Sequence, residues 1–486
     1  MVTRVLSAAA VTAAVLFVGV GTAQADTICV NPDKASCEAT IQDAVDAAAA
    51  GDTIRLASGV YFENVVIPAG KDGLTIRGGR SAILDPGDDG VAATPNTGEG
   101  ITIGSIDVTI QGITIRNGDD DQIELADGVT GTTISKVRSV NSEDDFVDSA
   151  LSGNDNTTIT RCEIFAPDGS AADIDGDGFE FTRNVVRQTS NEGVNVDGDD
   201  AVIERNTFIG IENGDAIEID GNNTEIVRNN IRGTDEAGID ADGDDILVSK
   251  NRLSGTYGGI EVSGQNPVVT KNRLTGTVGG GESFDISCFT DCSLAVVSGN
   301  RTGDIGDDTE GYDISASAAG MVIEKNRTTN GIDTGFDLSI DGATVSRNRV
   351  RGTGGDGEDC FEIDGDDNEI SRNAAEHCMG NGFWVRGDSN TLDRNRARRA
   401  AEDGFTVATS STSTTLTKNR SSRNGLTGYR IQDGGSPATG TTLTDNRGSK
   451  SRYDLCDEGV GTTRSGNHFD TELAVVQDGT QDCPTF

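Results

Sequence analysis

The 486-residue chain carries 80 Asp and Glu against 39 Lys and Arg, a formal net charge of −41. That charge argues against free nucleic acid or an anionic membrane as a partner of the whole molecule. Only 34% of residues are hydrophobic and 64 are glycine, too few apolar side chains for a thick globular core but enough for a solenoid, whose core is a thin column with turn residues at every corner.

In chain order, residues 1–25 combine Arg4, an apolar run and the small-residue site Ala23-Gln24-Ala25, which reads as a cleaved secretory signal. The protein is therefore expected outside the cytoplasm, extracellular or periplasmic, and no later stretch is long and apolar enough to span a membrane. Nine cysteines suit an oxidising compartment. Local pairing is expected for Cys29 with Cys37, Cys288 with Cys292, Cys360 with Cys378 and Cys456 with Cys483, leaving Cys162 as a buried free thiol. Residues 26–52 read as an N-terminal cap built on a helix over Thr40–Ala50. Thr40 is its N-cap, Asp43 favours its first turn and Gly51 stops it. Such a lid would cover the bare strands of a solenoid end.

From 53 to 448 the sequence repeats with a period of about 22 residues. The pair Arg205-Asn206 returns as Arg228-Asn229, Lys250-Asn251, Lys271-Asn272 and, after longer gaps, as Lys325-Asn326, Arg347-Asn348, Arg372-Asn373, Arg394-Asn395 and Lys418-Asn419. An apolar residue stands three before each Asn (Ile203, Ile226, Val248) and, in the early copies, another stands two after it (Phe208, Ile231, Leu253). Several units open on a glycine and an alternating strand, as in Gly193-Val194-Asn195-Val196-Asp197. Asn is expected to take the left-handed backbone of the corner and to hydrogen-bond up its column. Three apolar walls per unit predict an all-β chain, a right-handed single-stranded parallel β-helix with a short N-terminal capping helix. Residues 449–486 then form a closing coil and cap.

The stretch from Ala39 to Ile67, ATIQDAVDAAAAGDTIRLASGVYFENVVI, resembles the opening of proteins with the pectin-lyase-like parallel β-helix, and the Asn-punctuated repeat is similar to the same superfamily over roughly 38–470. The resemblance implies the fold; the superfamily includes lyases, hydrolases, epimerases and non-enzymes, so it implies no single activity.

The outward position of the Gly-opened strand is predicted to hold Asn195, Glu218, Asp240, Glu261, Asp285, Asp313, Asp337 and Glu362, with Asp197, Asp220, Asp242 and Asp364 two residues on. Stacked at about 4.8 Å these carboxylates repel one another. A divalent cation with hard oxygen ligands, calcium, is the expected remedy, with Asp197, Asp220, Asp240, Asp242 and Asp364 as ligands. Asp173-Ile174-Asp175-Gly176-Asp177-Gly178 also matches the start of a calcium-loop pattern, although Asn184 stands where such a loop wants Glu. A solvated acidic surface is the plain alternative.

At one coil the pattern changes. Gly382-Phe383-Trp384-Val385-Arg386 replaces outward acids with the chain's one tryptophan and an arginine, and from Arg386 to Arg452 twelve basic residues face six acidic ones. Trp384 beside Arg386 suits a sugar ring and its carboxylate. Resemblance to pectate lyases, in which calcium carboxylates and an Arg or Lys base share one outward sheet face, implies Glu362, Asp364, Arg386 and Arg430 as the best local catalytic set for a lyase, with no family motif matching any of them. The alternative is a Trp packed under a loop. Three functions are compatible with these residues. The first is a calcium-assisted lyase of uronate-containing polysaccharide, with acidification of the proton beside the carboxylate and a positioned base. The second is a glycoside hydrolase. The third is a non-catalytic β-helix that binds an acidic polysaccharide, another extracellular glycan or cations. The His-Gly-type motif of polygalacturonase-like enzymes and the Asp-Pro-His-Asp signature of alginate epimerases are absent from a chain with two histidines. A monomer is expected.

Overall fold

The computed structural model describes residues 25–86, 98–118, 120–149, 152–277, 282–303, 310–330, 333–355, 357–474 and 483; the signal segment expected at 1–25 lies, but for its last residue, outside them. Each coil contributes one short strand to each of three walls. In one coil these are Val202–Glu204 in wall A, Thr207–Ile211 in wall B and Glu218–Asp220 in wall C. Between the ends, each strand pairs in parallel with its equivalents in the coils before and after, giving 19 strands in wall A and 18 in each of the others. The result is the predicted right-handed parallel β-solenoid.

Inward positions close the core. Ile203, Ile226 and Val248 stack along wall A, fully buried and in register. In wall C a column of rings runs through Phe284, Tyr312, Phe336, Phe361, Phe383, Phe405 and Tyr429, with centroids 4.4–5.1 Å apart and planes within 9° of parallel. Glycine opens several wall C strands because the facing wall B side chain already fills that space: a Cβ on Gly238 would stand 2.3 Å from Leu253 Cδ2.

The corner between walls A and B is an asparagine ladder. The Asn206 amide N–H donates to Asn229 Oδ1 (2.9 Å), while its Nδ2 reaches back to the Phe181 carbonyl (2.6 Å). The same links run unbroken from Asn184 to Asn467. The left-handed residue, however, is not the asparagine. Arg205, Arg228 and Lys250, each just before an Asn, have φ of 60°, 61° and 62°. Asn is held inward by its ladder bonds, so the kink falls on the exposed residue before it.

The N-terminal helix runs over Ile41–Ala47, three residues short of the expected end at Ala50. Thr40 Oγ1 accepts from the Asp43 N–H (3.0 Å), and the Glu63 carboxylate accepts from Ile41 and Gln42, so the first-turn donors are satisfied. Ala48 is extended, with its N–H still bonded to Ala44 and Val45, and Gly51 turns the chain with φ of 80°. A strand the sequence reading did not anticipate, Thr27–Val30, precedes the helix and extends wall A. Past Ser449 the three walls continue through Thr463–Ser465, His468–Phe469 and Glu472–Ala474. All four expected disulfides are present. Cys162 occupies the ladder position above Asn184, is free and buried, and burial pushes its thiol up to about 12. No helix among the described residues is long and apolar enough to cross a membrane.

Candidate functional site on the outer face of wall C

Alternation along wall C turns every second side chain outward, and strand register stacks them. The predicted column from Asn195 to Glu362 is present with each neighbour in register. It extends further towards the N-terminus than expected, through Asp173 and Asp148 to Glu124. The second column holds Asp175, Asp197, Asp220 and Asp242, then four serines from Ser263 to Ser339, then Asp364 and Arg386. Asp173–Asp175, proposed as the start of a calcium loop, is an ordinary strand of this wall.

A third line of acids lies at the wall's leading edge, three residues before the outward position. Burial, reinforced by neighbouring carboxylates, pushes Asp121, Asp145, Asp215 and Glu310 up to about 8. Burial also raises Asp359 to about 7. The same causes raise Glu261 to about 7, and Asp173, Glu218, Asp240 and Asp313 to about 6. The recurring three-residue spacing, as in Asp121–Glu124 and Asp215–Glu218, was present in the sequence.

Among the described residues, two groups offer carboxylate oxygens within 4.8 Å of one another: Asp120, Asp121 and Asp144, and Asp145, Asp148 and Asp173. The expected ligands Asp197, Asp220, Asp240 and Asp242 share the wall but belong to neither group. Asp364 is engaged by Arg386 instead.

The Trp384 coil stands at the other end of the acidic column. Register places Glu362 on one side of Trp384, with Thr406 and then Arg430 on the other. Trp384 is half-buried. Arg386 forks onto Asp364, its Nε donating to Oδ1 at 3.0 Å and Nη2 to Oδ2, and its Cζ stands 5.3 Å from the centre of the Trp384 ring. Two of five guanidinium donors are thus used. Burial and Asp337 raise Glu362, against a lowering from Arg386.

Arg430 is set deeper. Its side chain is 14% exposed and lies 3.8 Å from Asp403 and 3.7 Å from Glu458. Asp403 accepts from the Thr427 amide (2.7 Å), and the buried Thr406 hydroxyl donates to Asn381 Oδ1 (3.2 Å). The structure therefore brings Glu362, Trp384, Asp364 and Arg386 together. It places Arg430 two coils on, inside a polar network that the sequence did not reveal.

Three walls of stacked short strands around an asparagine ladder define a parallel β-helix, and the chain belongs to the family described as the right handed beta helix region, matched over residues 53–209, 215–357 and 339–469. No curated protein matches it in sequence. Among solved structures it is similar to a tailspike protein of Bacteriophage CBA120, at 12% identity over 91% of this chain and TM-score 0.28, and it spans 59% of the tailspike's length. It is similar to the PL6 family alginate lyase AlyGC, at 10% identity over 92% of this chain and all of the lyase chain, with TM-score 0.32. It is also similar to a GH136 lacto-N-biosidase from Eubacterium ramulus, at 9% identity, 71% and 67% coverage and TM-score 0.38.

Proposed function

We propose that the protein is a secreted glycan-binding β-helix whose saccharide platform is the Trp384 coil. The observation that carries this reading is the replacement of the outward carboxylate column by a half-buried tryptophan with an arginine fixed beside it. An aromatic face takes the apolar face of a pyranose ring. A guanidinium held by one carboxylate keeps donors for a second, that of a uronate. Four disulfides fit an oxidising, extracellular or periplasmic setting.

Binding without turnover is the best supported form of the reading. Arg386 is paired with Asp364 and so does not stand as an unengaged base, while Arg430 is deeply set within ion-pair distance of Asp403 and Glu458. The calcium-assisted lyase needs its cation beside the same sugar. Among the described residues, the nearest group of three carboxylates close enough to share an ion ends at Asp173, nine coil steps from Trp384, or about 43 Å at strand spacing.

Calorimetric titration with oligouronates tests the proposal. Wild type binds, and Trp384→Ala and Arg386→Ala each weaken binding by about tenfold or more, the loss of one stacking or forked contact. Unchanged affinity in both variants would remove the site. The same mixtures with calcium, followed by ultraviolet absorbance of an unsaturated product, stay flat; a calcium-dependent rise lost in the two variants would replace binding with the lyase.

A further inference from the structure

Wall C is not the only face with an ordered charge. Each buried asparagine of the A–B corner is flanked by two outward residues, and in six coils both are basic. Examples are Lys250 with Arg252, Lys271 with Arg273 and Lys325 with Arg327. The residue after the asparagine stacks in strict register from Arg252 through Arg273, Arg301 and Arg327 to Arg349. The column resumes from Arg396 to Arg447. Every one of these side chains is exposed. This is the one corner that does not adjoin the acidic wall, since the chain passes from A to B before it reaches C.

The basic side chains are not neutralised by neighbours along the central stretch. Glu204 serves Arg205 and Arg228, and Glu324 serves Lys325 and Arg347. Between these two acids, Lys250, Arg252, Lys271, Arg273 and Arg301 have no carboxylate partner among the described residues. With Arg228 they line a trough of about 760 Å³. A second trough of about 580 Å³ at the same corner is lined by Arg394, Arg396, Lys418, Arg420 and Arg447, with Asp445. On the wall B side, the hydroxyls of Ser254 and Thr275 line an adjoining trough together with Arg252 and Arg273.

We infer that the A–B corner is a docking track for a linear polyanionic polysaccharide, laid parallel to the solenoid axis. The strand spacing of about 4.8 Å offers positive charge at every coil, so an extended chain bearing one anionic group per sugar meets a donor at each step, and the bordering hydroxyls meet its hydroxyls. Like charges stacked this closely destabilise the free protein, and a bound polyanion relieves that repulsion. A single-stranded nucleic acid is the poorer fit. The trough has no aromatic side chain for base stacking. This track is separate from the Trp384 platform and stands or falls independently of it.

The test is binding of the full chain to dextran sulfate, polyuronate, neutral dextran and oligo(dT), at low and at raised salt, by affinity electrophoresis. Wild type is retarded by the two anionic polysaccharides, not by neutral dextran, and raised salt abolishes the retardation. The triple variant Arg252→Ala/Arg273→Ala/Arg301→Ala loses about tenfold or more in affinity for dextran sulfate. The exposed substitutions leave the circular dichroism spectrum unchanged, and dextran sulfate raises the melting temperature of wild type but not of the triple variant. Equal retardation of wild type and triple variant, or none of wild type at low salt, overturns the track. Tighter binding of oligo(dT) than of either polysaccharide overturns the assignment of the ligand.

Discussion

Arg205 takes the left-handed kink that lets Asn206 turn its amide into the core, and the same division of labour recurs at Arg228-Asn229 and Lys250-Asn251. The Arg-Asn pair was readable in the sequence as a corner. Which partner bends was not, because it depends on where the Asn side chain finds its bonds, in coils more than 20 residues away. The wall C aromatics were just as local in sequence, each standing directly before an outward residue, yet their stacking appears only once the coils are superposed. Phe361 lies between Phe336 and Phe383 at 5.0 and 4.7 Å and is fully buried. Phe361→Ala is expected to lower unfolding stability by about 3–5 kcal/mol, the cost of deleting a buried ring plus its cavity. Chemical denaturation measures this, and a loss well under 1 kcal/mol would mean that the ring column is not a principal part of the core.

At the scale of the element, wall C is a strand surface that carries more carboxylate than it can ionise. The columns from Asn195 to Glu362 were legible because glycine and asparagine punctuation pins the register, and a slip of one residue would turn every side chain to the other face. The edge acids Asp121, Asp145 and Asp215 were less so, since their burial depends on how successive coils overlap. Their pKa values rise from 3.8 to about 8 through burial and mutual repulsion. The folded form thus holds protons that the unfolded form releases. The stabilising contribution of these groups is complete below the unfolded value near 4 and is lost as pH rises through about 8. The melting temperature is therefore expected to fall as pH is raised from about 5 to about 8. A melting temperature that rises over the same window would contradict the burial and repulsion assigned to these acids.

For the whole molecule, a net charge of −41 conceals a segregated surface, with acids on one wall and a basic corner away from it. The net charge argued against nucleic acid and an anionic membrane as partners of the whole molecule, but it describes the average surface and not the corner, where register gathers the Lys and Arg that the sequence spreads over more than 200 residues. The fold was readable almost in full from the repeat, as were the four disulfides and the neighbours of Trp384. The engagement of Arg386 by Asp364 and of Arg430 by Asp403 and Glu458 was not, since rotamers across coils decide it.

Trp384 is the chain's single tryptophan, so its fluorescence reports the proposed saccharide platform without labelling. Titration of wild type with short oligouronates at salt high enough to screen the basic corner is the most direct test of glycan binding at this coil. A saturable change in tryptophan emission, matching the calorimetric isotherm and lost in Arg386→Ala, is the predicted result. Calorimetric binding with no change in emission would contradict the assignment of the platform to the Trp384 coil.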